Sequence, residues 1–504
     1  MSRSEEKLPK DAEAAPKRLR IRKTVWTGLV ILFKGILALA ITAGLWTVLT
    51  PYFRLDRTYE GDYFRNLPDH TVDVIALGSS HIQYAFNPAN FYAETGYYSY
   101  VLGSSCQPFS QSYYMLKEAL NTQHPSVVLL DVFTLLPQSQ VCYADGIYYL
   151  AMDMMSEPVR TEAANGLPKD MDFDTKLGYT LDLYMNHGNW KRMNFADPQS
   201  ILNTALPKSG YSWDLGYVRE QPKLLQYTPL TTFAVTETVT LSEEEKLWID
   251  RIAKLCQDND IHLLYLKTPY LENQEDANKL DAIWKYLDEK GYPYIDFIAK
   301  ATELEWFMDM DGDTWHNNTW GAEIVTRYLA EVLQNNGWLN NHKEEEMMEL
   351  LMKTGMEKSA ADLLGRNNIN IYRLMEEGAK YPCTILFRYK GTEEKNSIGE
   401  YENKALNALG LHHDFQKQKE EDYYAVVRDG VLLRDGNEPF EMMVSDHKIT
   451  LSEDDIRIEN ASVGTPGELQ IVFLDDAFSW INPLGIDYAA RWFWKNGCDG
   501  WNCG

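Results

Sequence analysis

The chain has 504 residues, 45% of them hydrophobic and 24% charged, with a formal net charge of −26. That apolar content excludes a disordered chain and suffices for two domains, while the acid excess excludes nucleic-acid binding through a basic surface. Phosphate-rich polymers would meet the same repulsion, and neutral glycans would not.

The first 24 residues form a basic tail with eight Lys/Arg against four Asp/Glu, five of the basic residues falling between Lys17 and Lys23. Residues 25–50 follow as an apolar run broken only by Lys34. At about 1.5 Å per residue such a helix exceeds the roughly 30 Å of a bilayer's hydrocarbon, and Lys34 can snorkel. The positive-inside rule keeps the tail cytoplasmic and everything after residue 50 outside. Ala38-Leu-Ala40 offers a signal-peptidase site, but apolar sequence continues past it to Thr50, which favours an uncleaved single-pass anchor. The part beyond the span carries 39 Lys/Arg against 70 Asp/Glu, which reads first as a solubilising surface.

A catalytic domain is expected over residues 55–338. Strands are predicted at Val72–Leu77, Val127–Val132, His262–Leu266 and Tyr292–Phe297, as continuous β-rich runs that suit a mostly parallel sheet covered on both faces. Between them, Ser242-Glu-Glu-Glu245 is a capping box opening a helix through Cys256, and Leu280, Ile283, Trp284 and Leu287 form an apolar stripe before Gly291. The fold class is therefore α/β in three layers. Residues 138–238 make a long aromatic-rich insertion, able to build its own small core or to act as a lid whose rings stack on sugars.

In such sheets ligands sit beyond the carboxyl ends of strands. Gly78-Ser79-Ser80-His81 follows the first strand, where a glycine permits a sharp exit and the next serine can present its hydroxyl; the same residues also suit a plain turn and helix cap. Far downstream, Asp313-Thr-Trp-His316 precedes a helix striped by Ile324, Val325, Tyr328, Leu329, Val332 and Leu333, with Asn318 or Thr319 as cap. A carboxylate three residues from a histidine can hold one ring nitrogen and leave the other to take a proton from a serine. Asp309, Asp311 and Asp313 also suggest a calcium loop, but the sixth position is Thr314 and the twelfth Trp320, so no metal site is expected there. A solvated acidic turn is the plainer alternative. No cofactor is expected.

The order of these pieces, with the Gly-rich stretch Val101-Leu102-Gly103-Ser-Ser-Cys-Gln107, resembles the SGNH (GDSL-type) hydrolase superfamily over roughly residues 70–335. The resemblance implies a flavodoxin-like domain with Ser80 as nucleophile, Asp313 and His316 completing the triad, and an oxyanion hole from the amides of Ser80 and Gly103. Ser79 stands where the family has Asp, and the family's Gly-x-Asn-Asp block is replaced by Asp131-Val-Phe-Thr; Gln107 is the substitute donor considered. The Gly-Ser-Ser variant with an N-terminal anchor looks like the DltD branch and the alginate O-acetylation proteins. That implies acyl transfer, such as O-acetylation, onto a bacterial cell-envelope polysaccharide beside a membrane-bound O-acyltransferase. The family also carries a His-and-Trp segment in the insertion, which makes His187 and Trp190 substrate contacts. The same residues would serve an esterase or deacetylase, and a non-catalytic glycan-binding accessory subunit is the third reading.

Residues 342–504 are expected to form a smaller α+β or β-rich domain of unassigned function. His342–Met352 reads as an amphipathic helix; Asp429-Gly430 between apolar runs is a type I′ hairpin signal; Ile456–Ile458 and Leu469–Leu474 read as strands. Cys498 and Cys503 are close enough for a small terminal disulfide, and Cys106, Cys142, Cys256 and Cys383 lack metal-ligand spacing.

Overall fold

The computed structural model describes residues 14–53, 59–142, 147–180, 182–193, 195–205, 207–219, 232–300, 316–340, 342–365, 382–393, 398, 400–474, 481–487, 492–495 and 498–499. Two compact units emerge: Met1–Arg57 with Leu167–Lys208, and Thr58–Gly166 with Ser209–Gly504. The first is built on one helix, Ala14–Phe53, whose stretch Val25–Thr50 is long and apolar enough to cross a membrane, with mean hydropathy 2.2. Packed on it are the short helices Asp182–Asn186, His187–Arg192 and Pro198–Ala205.

The second unit is α/β. Five strands, β1 (Val74–Gly78), β2 (Ser99–Gly103), β3 (Val127–Asp131), β4 (His262–Lys267) and β5 (Tyr294–Asp296), form one parallel sheet in the order β2-β1-β3-β4-β5. Every residue of the first three strands is buried, so alternate side chains must serve opposite layers. Val74, Ala76, Val101, Val127, Leu129, Leu264 and Leu266 share a core with Ile82, Phe91, Val325 and Leu329 from the helices Ser80–Ala85, Pro88–Thr95 and Thr319–Asn335. On the opposite face the helices Phe109–Ala119 and Glu243–Asp258 cover β1 and β4, where Tyr265 donates to Ile249 O at 3.1 Å. This is the three-layer arrangement that the apolar runs predict.

The predicted strands fall within a few residues of β1, β3, β4 and β5. The capping box closes as expected: Glu245 N donates to Ser242 Oγ, and Ser242 N to the Glu245 carboxylate. Gly291 ends its helix with φ 70°. One strand escapes the sequence reading. Ser99-Tyr-Val-Leu-Gly103 is β2, although its glycine and flanking serines read as a turn.

Beyond the helix Glu346–Gly365 the chain is antiparallel. Strands β6 (Thr384–Tyr389), β7 (Tyr423–Arg428), β8 (Val431–Gly436), β9 (Phe440–Val444), β10 (His447–Leu451), β11 (Ile456–Ile458), β12 (Ala461–Ser462), β13 (Leu469–Leu474), β14 (Ile481–Asp487), β15 (Trp492–Lys495) and β16 (Cys498–Asp499) form two sheets. Their orders are β16-β15-β14-β13-β6-β7-β8 and β12-β11-β10-β9. Strands β6, β7 and β13 are buried on both faces by strict alternation. Ile385, Phe387, Ala425, Val427, Ile471 and Phe473 pack with Leu406, Leu409 and Phe415, whereas Leu386, Val426 and Val472 meet Phe440, Ile449 and Ile456 of the smaller sheet. Asp429 and Gly430 turn β7 into β8 with φ of 50° and 72°, as a type I′ turn requires, and Ser445 and Asp446 repeat the device between β9 and β10.

Near the start of this unit, helix Glu60–Asn66 is tied to the sheet where Tyr100 of β2 donates to the Glu60 carboxyl. Burial raises the Glu60 pKa to about 7, against the lowering effect of the Tyr100 bond and with a smaller upward push from Asp214. A carboxyl whose folded pKa lies above its unfolded value adds stability below the unfolded pKa of 4.5, and that contribution is lost as pH rises through 7. Glu60→Gln is therefore expected to remove a fall in stability between pH 5 and pH 8 on the order of 2 kcal/mol. Urea midpoints of both proteins at the two pH values check this; parallel shifts would refute it.

Candidate active site

The strand order reverses between β1 and β3, because the chain passes from β1 outward to β2 and then crosses back to β3. In open parallel sheets the carboxyl ends of the strands at such a reversal point are where ligands bind. Gly78 closes β1 there with φ 146°, and a Cβ on it would stand 2.8 Å from the Asp131 Cβ at the end of β3. No side chain fits. The glycine lets the chain turn directly beside its neighbour strand.

Ser79 caps the helix Ser80–Ala85. Its Oγ accepts from His81 N at 3.2 Å and donates to Asp131 Oδ2 at 3.3 Å. Asp131 also accepts from Phe133 N at 3.3 Å and from the Thr268 hydroxyl at 3.2 Å, so one buried carboxylate ties the exits of β1, β3 and β4 together. Burial raises its pKa to about 6, opposed first by the charge of Lys267. Lys267 closes β4 fully buried, donating to Thr268 O at 2.7 Å and lying 3.4 Å from the Tyr270 ring centroid. Its burial lowers the ammonium pKa to about 8, with Asp296 and Asp131 opposing.

With Ser79 committed to Asp131, the next residue is the one whose hydroxyl is presented. Ser80, half-buried at the first turn, lies with its Oγ 2.9 Å from His316 Nε2, across 236 positions of sequence. His316 stands just before the helix Thr319–Asn335, which packs on the helices Ser80–Ala85 and Pro88–Thr95 and is capped where Gly321 N donates to Asn318 Oδ1 at 3.1 Å. Two rings lie close to the imidazole, Tyr84 at 4.4 Å and His81 at 5.3 Å between centroids. His81 is itself buried, stacked 3.6 Å from Phe133 and edge-on to Tyr270. Burial, then the charges of Lys267 and His316, hold its pKa well below the usual imidazole range. It forms a neutral floor. A serine hydroxyl on an imidazole nitrogen is the arrangement that proton abstraction from a nucleophile needs.

The other expected site residues fall as follows. Gly103 pairs with Gly78 in register, its carbonyl accepts from Gln83 Nε2 at 3.0 Å, and a Cβ there would meet Gln83 Cγ at 2.7 Å. Gln107 is buried, contrary to an exposed turn position, and its amide group is engaged: Oε1 accepts from Ser104 at 3.2 Å and Nε2 donates to Ser112 at 3.0 Å. One of its two amide protons is thereby taken up by Ser112 of the helix Phe109–Ala119. His187 and Trp190 are exposed and belong to the unit built on Ala14–Phe53, where His187 Nδ1 lies 2.5 Å from Tyr184 O. Asp313, with Asp309 and Asp311, lies outside the described residues, as does Cys503. Cys106 is disulfide-bonded, and the buried Cys256 and Cys383 are free thiols.

Sequence reasoning passed over Lys267, His81 and Tyr84. The trace it could have followed is a charged residue closing an apolar strand: Asp131 ends Val-Val-Leu-Leu-Asp and Lys267 ends His-Leu-Leu-Tyr-Leu-Lys on adjacent strands. Comparison with models of known protein families gives no match, and comparison with curated proteins gives none either.

The crowding at Gly78 sets an expectation. Gly78→Ala combines a forbidden φ with a backbone-proximal clash and should cost about 3 kcal/mol or more, whereas Gly291→Ala, at φ 70° in open space, should cost about 1 kcal/mol. Thermal denaturation of the two variants checks the ranking; equal losses would contradict it.

Proposed function

We propose that this chain is a membrane-anchored, extracytoplasmic serine acyltransferase of the SGNH type that O-acetylates a cell-envelope or secreted polysaccharide. The observation that carries the reading is the 2.9 Å contact between Ser80 Oγ and His316 Nε2 at the sheet's reversal point. Supporting the extracytoplasmic placement are the apolar helix Val25–Thr50 behind a basic tail and the disulfide at Cys106, since disulfides persist in oxidising compartments.

In the proposed reaction His316 Nε2 takes the Ser80 proton as Oγ forms a bond to the carbonyl carbon of an acyl donor. The carbonyl oxygen becomes an oxyanion facing the amides of Ser80 and Gly103. Collapse breaks the bond to the donor's leaving group, which departs with the proton from His316, and Ser80 is left acylated. A glycan hydroxyl then gives its proton to His316, attacks the ester carbon and leaves with the acyl group as Ser80 regains its hydrogen. Asp313 is assigned to orient His316. A membrane-bound O-acyltransferase is the proposed source of acyl groups.

Water in place of the glycan hydroxyl would make the same residues an esterase, so the acceptor decides between them. The full chain in detergent, given an activated acetyl ester with and without a neutral polysaccharide, is expected to form an acyl-enzyme at Ser80 that turns over faster with the glycan. Ser80→Ala should abolish labelling, and His316→Gln should slow acylation roughly 10³-fold. Labelling undiminished in Ser80→Ala would remove the nucleophile assignment, and glycan binding without any labelling would favour an accessory subunit.

A further inference from the structure

The segment 167–208, read from sequence as part of a long insertion, belongs to the unit built on the helix Ala14–Phe53, and its short helices pack on that helix. Along that helix every residue from Ile31 to Leu45 is exposed, while Trp46, Thr50, Tyr52 and Phe53 are half-buried. The covered patch is therefore concentrated at the carboxyl end of the apolar stretch. Asn189 Nδ2 donates to Phe53 O at 2.8 Å, which fixes the segment three residues past Thr50, or about 4–5 Å along the helix axis beyond the apolar run.

The segment's own surface is unusual for this chain. Phe173 and Phe195, 75% and 66% exposed, are the two most exposed large apolar side chains outside the apolar stretch among the described residues, and Tyr184 and Trp190 are exposed beside them. Water is a poor solvent for four such rings on so short a segment. Its charge differs too. Between Leu167 and Lys208 stand five Lys/Arg and five Asp, a neutral island in a chain of net charge −26. A neutral, aromatic-rich surface meets no repulsion from anionic headgroups, and Trp and Tyr settle at the boundary between acyl chains and water.

We infer that residues 167–208 form a collar that lies in the headgroup layer of a phospholipid bilayer, with Phe173, Tyr184, Trp190 and Phe195 dipping toward the acyl chains. This rests on the reading of Val25–Thr50 as a membrane span. Whatever packs against the end of a spanning helix lies at the level of the lipid boundary, and short helices carrying apolar rings and mixed charge are stable there. The surface assigned to glycan contact through His187 and Trp190 then becomes a lipid contact.

The test uses the full chain reconstituted in nanodiscs of phosphatidylcholine, either plain or brominated near the glycerol end of the acyl chains. Subtracting the emission of Trp190→Phe from that of the parent isolates Trp190, and subtracting Trp26→Phe isolates a tryptophan inside the proposed span. The collar predicts that the Trp190 component is quenched about twofold or more by the brominated lipid, as the Trp26 component is. If Trp26 is quenched and Trp190 is not, the collar is overturned and the anchor stands. If neither is quenched, the anchor fails and the collar with it.

Discussion

A single crowded spot, where the end of β1 passes the end of β3, determines what the rest of the α/β unit can do. Gly78 is there because a methyl group would meet the Asp131 side chain, and Asp131 is there because three donors from three strand exits need one acceptor. Ser79 is consumed by that arrangement. Its neighbour Ser80 is thereby turned toward the helix Thr319–Asn335 and meets His316. The serine and histidine are thus a consequence of how the sheet reverses. At the same strand ends lie a buried carboxyl group and a buried ammonium, Asp131 and Lys267, whose pKa values burial moves to about 6 and about 8. Burial opposes both charges, and the attraction of opposite charges with their hydrogen bonds offsets part of that cost.

Much of this was legible in the sequence, and the limits follow physical lines. Runs such as Val-Val-Leu-Leu identify themselves as buried strands because both faces are apolar, and Ser242 with Glu245 identifies a helix start because the reciprocal bonds are local. Type I′ turns were equally plain at Asp429-Gly430, where the residue types answer directly to positive φ, and less so at Ser445-Asp446. β2 was missed because five residues flanked by serines carry too little periodicity, and its identity comes from pairing with β1 along its whole length. Lys267 was missed because an ammonium reads as a surface group unless its partners, Asp131 and Thr268, are known to surround it.

The segment 167–208 shows the same limit on a larger scale. By position it lies between two strands of the sheet, so chain order alone gives no sign of its contact with the first helix. By contact it belongs with a helix more than a hundred residues earlier. Local pattern cannot distinguish an aromatic residue that stacks on a sugar from one that seeks a lipid boundary, because the ring is the same and only its neighbours differ.

The flanking of His316 by Tyr84 and His81 bears on timing. An imidazole with open sides samples several rotamers, and each productive encounter must wait for the right one. With two rings packed close to it, His316 has that search narrowed when the chain folds, so much of the orientational entropy is lost during folding and does not recur with each proton passed.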